Sequence, residues 1–111
     1  MAGTYILSRE AGLDLVEIED YTARTWGDDQ AEKYLREIFQ AFELLANNPD
    51  IGRSRADVPP PFLVYAVGSH LIVYRCQQSE RVEVLNVLHP AMNIATRMKE
   101  ALAFAVKRKR Q

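Results

Sequence analysis

Cysteine is nearly missing from this 111-residue sequence: Cys76 stands alone. One thiol closes no internal disulfide and supplies at most one zinc ligand, so neither a disulfide framework nor a cysteine-based metal centre is expected. Glycine and proline are scarce, five of each, which excludes collagen-like and low-complexity structure. No apolar run approaches the roughly 20 residues that a membrane-spanning helix needs. The opening Met-Ala-Gly-Thr-Tyr lacks the basic and apolar blocks of a secretion signal. Histidine occurs only at positions 70 and 89, and residues 51–90 hold no lysine. Gly-rich phosphate loops, Gly-x-Ser-x-Gly, His-Glu-x-x-His and cysteine pairs at metal spacing are all absent. No metal and no cofactor are expected.

What is present fits one globular domain spanning 1–111. Hydrophobic residues make up 48% and charged residues 26%, enough apolar material for a core and too much for disorder. The expectation is a small, soluble, cytoplasmic domain. Net charge is only −1, but it is unevenly spread. Residues 1–50 carry 4 Lys/Arg against 11 Asp/Glu, whereas residues 91–111 carry 6 against 1. The acidic half suits solvent-facing helix surfaces. The basic end suits an acidic partner or nucleic acid.

Apolar periodicity divides the chain into elements. Thr4–Ser8 is short and apolar and predicts a strand, after which Ser8 can cap a helix. Ala11, Leu15, Ile18, Tyr21 and Trp26 then recur at roughly helical spacing, and Gly27 ends the run. Ala31, Tyr34, Leu35, Ile38, Phe42 and Leu45 form the strongest stripe, stopped by Asn47-Asn48-Pro49. The two helices make an antiparallel hairpin. A loop rich in arginine and proline runs to Pro61. Phe62–Val67, His70–Arg75 and Arg81–Leu88 follow as three strands joined by short turns, an antiparallel meander. Pro90 can open a last helix over about 91–110, carrying Ile94, Met98, Ala101, Leu102 and Ala105 on one side. The pattern is β-α-α-β-β-β-α. It predicts an α+β domain, a helical hairpin packed on a small, mainly antiparallel sheet, with helices laid over one face.

Chemistry-bearing residues concentrate in the β-region: Arg53, Arg55, His70, Tyr74, Arg75, Arg81 and His89. Such groups can hold a phosphodiester and exchange protons near neutral pH. They can equally serve as hydrogen-bonded framework or as partner contacts. Tyr74, amid apolar neighbours, suits a core site with its hydroxyl satisfied. Cys76 faces away from Arg75 by strand alternation and lacks an activating cation, so a buried or incidental thiol is expected. The acidic residues of the two helices are spaced for solvent-facing rows rather than for an acid/base pair.

Tyr5-Ile6-Leu7-Ser8 with Ala11, Asp14-Leu15, Ile18 and Tyr21 resembles the opening of ParE-type toxins in the RelE/ParE superfamily. Trp26-Gly27, Gln30-Ala31, Tyr34, Leu45, Asn48-Pro49, Ile51-Gly52-Arg53 and Arg55 continue the likeness in order. Val67 to Arg75, then Val87-Leu88-His89 and Met92, are similar to that family's sheet. Two positions depart from its pattern: Leu63 stands where an arginine often precedes the second strand, and Asn93 where an aspartate often follows the methionine.

The resemblance implies the toxin of a bacterial type II toxin–antitoxin pair. Its expected partners are a cognate antitoxin, in a hetero-oligomer, and DNA gyrase, with operator DNA reached only through the antitoxin and no membrane. The implied action is gyrase inhibition without catalysis. Two readings stay open beside it. One is a ribosome-dependent messenger-RNA endoribonuclease using His70, Arg75 and His89; the other is a toxin-derived binding module without toxicity. Partner contacts are expected at Arg53, Arg55, His70, Tyr74, Arg75, His89 and Met92. The basic end Lys107, Arg108, Lys109 and Arg110 either complements the helix macrodipole or touches gyrase, gyrase-bound DNA or an acidic antitoxin segment.

Overall fold

A computed structural model describes residues 3–77 and 80–110, with backbone alone for 104–110. The elements are β1 (Tyr5–Leu7), α1 (Arg9–Trp26), α2 (Asp28–Asn47), a 3-10 turn (Pro49–Ile51), β2 (Leu63–Val67), β3 (His70–Cys76), β4 (Val82–Leu88) and α3 (Ile94–Arg110). One four-stranded sheet has the order β1-β4-β3-β2. The three later strands form the expected antiparallel meander, and β1 joins it parallel to β4.

Ser8 fastens the start of α1 to the sheet. Its hydroxyl accepts from Ala11 N–H at 2.9 Å, the N-cap geometry that satisfies an orphan helix donor, and donates to Leu85 O at 2.6 Å. Gly27 alone connects α1 to α2, at φ +96, a left-handed conformation that favours glycine. The buried stripe of α1 is Ala11, Leu15, Ile18 and Thr22. Tyr21 is therefore not a core residue as its spacing suggested: it sits about 100° around the helix from Thr22 and is 62% exposed. Trp26 keeps the phase of the stripe but ends the helix and is 71% exposed.

The sheet is covered on both faces, where the sequence suggested helices over one. Ile72, Tyr74, Val82, Val84 and Val87 pack with the α1–α2 hairpin, around Ile38, Phe42 and Leu45. Leu71, Val73, Leu85 and Leu88 face the other way, onto Ile94, Met98 and Ala101 of α3. A register shift opposite Val73/Tyr74 inserts one residue into β4. That bulge lets Val84 and Val87 share a face although three positions separate them.

The arginine–proline loop contributes to this second core. Val58 and Phe62 are buried in it, and Arg53 bonds Val64 backbone to backbone at 2.8 and 2.9 Å, which covers part of the β2 edge. Contrary to the expectation from the sequence, Pro90 does not open α3. It lies in a turn, and Asn93 caps the helix instead, its Oδ1 accepting from Thr96 N–H at 3.0 Å. An aspartate supplies the same oxygen, so the departure at 93 keeps the cap.

Candidate functional site

Both histidines, Tyr34 and Asp14 converge where the β2–β3 turn and the end of β4 meet the helical hairpin. Tyr34 of α2 organises that corner. Its hydroxyl accepts from Ser69 N–H at 3.1 Å and lies 2.6 Å from His70 Nδ1 and 3.2 Å from Val67 O. A phenol has one proton to give, and the His70 tautomer sets whether it goes to Val67 O or to His70 Nδ1. Gly68 permits this approach: it adopts φ +55, and a Cβ there would fall 2.5 Å from the Tyr34 ring.

His89 stands against His70 with ring centroids 5.7 Å apart and planes at 86°. Its Nδ1 accepts from Ala91 N–H at 3.1 Å. Burial, and secondarily the neighbouring His89, hold the His70 imidazole below its ordinary range. Asp14 of α1 reaches the same corner. Its Oδ2 accepts from Val87 N–H at 2.9 Å and Asn86 Nδ2 at 3.2 Å. Burial raises its carboxyl above the usual range, and those two bonds oppose the rise.

A histidine with a lowered folded pKa is fully stabilising only above its unfolded pKa of about 6.5. Stability then falls as the pH drops from there through the lower folded value, and no further below it. Asp14 works in the opposite sense, costing stability as the pH rises through its raised folded value. Urea titrations at pH 7.5, 6.5 and 5.5 are expected to show a loss attributable to His70. The bound on that loss is one proton's slope of about 1.4 kcal/mol per pH unit. In His70→Gln the loss between 7.5 and 5.5 should shrink; an unchanged slope contradicts the assignment.

The residues singled out by sequence do not form one cluster. His70, His89 and Met92 come together on one open groove of about 610 Å³ beside α1. The arginines do not join them. Arg75 alternates to the opposite face of β3, where Nε donates to Glu83 at 2.6 Å and the guanidinium lies 4.9 Å from the Phe62 ring centroid. Arg53 and Arg55 sit in the loop flanking β2, with Arg55 paired to Asp57 at 2.6 Å. Tyr74 is a correction: it is fully buried, its hydroxyl donating to Pro49 O at 2.7 Å and accepting from Gly52 N–H at 2.8 Å. It offers a partner no surface. Cys76 is exposed, and the side chains of Lys107, Arg108, Lys109 and Arg110 lie outside the described residues.

Tyr34, Asp14, Tyr21 and Trp26 line the groove or its extension, and sequence reasoning treated none of them as site residues. Three had been absorbed into apolar stripes. The available signal was Tyr21, which is out of phase with Ile18 and Thr22. Among the described residues, no three His, Cys, Asp or Glu side chains cluster as a metal site, and no helix is long and apolar enough to cross a membrane.

Comparison with known proteins gives this geometry a family. The family described as "ParE toxin of type II toxin-antitoxin system, parDE" matches residues 5–94. The Toxin ParE1 of Mycobacterium tuberculosis is 40% identical over 94 residues, covering 85% of this chain and 96% of that protein. The Toxin ParE1 of Caulobacter vibrioides is 38% identical over 89 residues, covering 80% and 91%. Among solved structures, the chromosomal ParDE toxin–antitoxin system of P. aeruginosa matches with a TM-score of 0.69 at 18% identity, covering 79% of this chain and 96% of that one. The toxin–antitoxin complex RelBE2 of M. tuberculosis matches at 0.55 and 17% identity, covering 80% and 99%; at such identities these two speak for the fold alone. With the family matched across residues 5–94, the chain belongs to the ParE toxins of type II toxin–antitoxin systems.

Proposed function

We propose that this toxin acts in the cytoplasm by binding and inhibiting DNA gyrase, without catalysis of its own, and that a cognate antitoxin neutralises it in a hetero-oligomer. Family membership supplies the toxin reading. The observation that favours binding over messenger-RNA cleavage is the separation of the histidines from the arginines across the sheet. Cleavage by general acid and base needs a free ring nitrogen as base and cations holding the phosphate within reach. Both Nδ1 atoms are already engaged, His70 with the Tyr34 hydroxyl and His89 with Ala91 N–H. Three carboxylates of α1 line the groove beside them, its one arginine, Arg24, is paired to Asp20, and Arg75 is neutralised by Glu83 on the other face.

The decisive assay is gyrase supercoiling of relaxed plasmid, with ATP, titrated with the purified protein. Inhibition near one toxin per gyrase, reversed by the antitoxin, is expected; no inhibition from a folded sample overturns the proposal. The basic end is the proposed contact with gyrase or its DNA, since residues 91–111 carry 6 Lys/Arg against 1 Asp/Glu. Truncation after Phe104 leaves Ile94, Met98 and Ala101 in place. It should keep the unfolding midpoint and raise the inhibitory concentration at least tenfold. Unchanged inhibition would return Lys107–Arg110 to a helix-dipole role.

A further inference from the structure

We propose that the groove beside α1 seats an arginine of the antitoxin polypeptide, its guanidinium lying against the exposed rings of Tyr21 and Trp26 and facing the carboxylates of Glu17 and Asp20. This rests on the reading of the chain as a toxin with a polypeptide antitoxin.

The dimensions select a peptide. The groove of about 610 Å³ runs into a second recess of about 430 Å³, the two sharing Tyr21, Trp26, Ser69 and His70. Its wall follows α1 from Asp14 to Trp26, about 18 Å at 1.5 Å per residue. That is three helical turns, longer than a metabolite needs and suited to one side of an amphipathic segment. The rings of Tyr21 and Trp26 are 62% and 71% exposed. Tyrosine and tryptophan at a polar-rimmed surface are the side chains most often found at the centre of protein contacts.

Charge selects what the peptide carries. Three carboxylates line the groove against one guanidinium, Arg24, which is paired to Asp20 at 3.1 Å. Asp14 is turned inward onto Val87 and Asn86. Glu17 makes no ion pair among the described residues. A phosphate is repelled from such a surface and a cation attracted. Arginine fits better than lysine because its planar group stacks on aromatic faces while its edge donates to carboxylates. The same charge turns gyrase-bound DNA away. The basic end extends from α3, which packs on the opposite face of the sheet, so the two partners have separate faces to use.

Trp26 is the only tryptophan in the chain, so its emission reports the site directly. Titration with N-acetylarginine amide should change that emission saturably. At matched ionic strength, N-acetylglutamine amide should require at least fivefold higher concentration. The exposed double variant Glu17→Gln/Asp20→Asn should lose the preference and bind the antitoxin at least tenfold more weakly than the unmodified toxin. Equal responses to the two amides, or equal antitoxin affinity for toxin and variant, would overturn the arginine site. Failure of the unmodified, folded toxin to bind the antitoxin would instead remove the toxin–antitoxin reading on which the site rests.

Discussion

Replacing Tyr74 by phenylalanine is expected to destabilise the protein by about 2–4 kcal/mol, although it deletes one oxygen. The ring is fully buried, and its hydroxyl ties β3 to the segment that follows α2, donating to Pro49 O and accepting from Gly52 N–H. Phenylalanine preserves the packing but removes the side-chain partner of two part-buried backbone groups. A buried polar group left without a partner costs about 1–3 kcal/mol. For a domain of this size the loss corresponds to roughly 10–20 °C in melting temperature. Gly52 belongs to the same contact, since a Cβ there would collide with the Tyr74 hydroxyl. Chemical denaturation of Tyr74→Phe is the measurement; a loss below about 0.5 kcal/mol would mean that water replaces the hydroxyl at no net cost.

A second large effect is expected from Met98→Ala, at about 2–5 kcal/mol. Met98 is 2% exposed and packs with Ile94 and Ala101 against Leu85 and Leu88. Alanine removes the contacts of the long side chain and leaves a cavity that the sheet behind it cannot close. Supercoiling inhibition by the folded fraction should persist, because Met98 presents no surface. A loss under 1 kcal/mol would show that α3 is an appendage rather than one wall of the second core. Together with truncation after Phe104, this variant separates the structural part of α3 from its basic end.

Local patterning in the sequence determined much of this architecture. The apolar run in 70–75, the alternation in 82–88, the stripe through Ile38, Phe42 and Leu45, and the stops at Gly27 and Asn48-Pro49 are each set by a few neighbouring residues, and together they specify the order β-α-α-β-β-β-α. The ordered likeness to ParE toxins added the family. Failures arose where the outcome depended on distant residues. Tyr21 and Trp26 share an approximate period with the core, but burial depends on the sheet beneath α1, which covers Ile18 and Thr22 and not them.

The one-residue bulge in β4 is likewise invisible to a period-two reading. It sends Leu85 and Leu88 to a face that the sequence left bare and α3 covers. Residue type alone placed His70, His89, Arg53, Arg55 and Arg75 in one candidate set. Strand alternation and the path of the loop divided them, because a side chain's face is set by pairing with residues many positions away. The sequence therefore determined the elements and the family, while tertiary packing decided which of the chemistry-bearing residues meet at the groove.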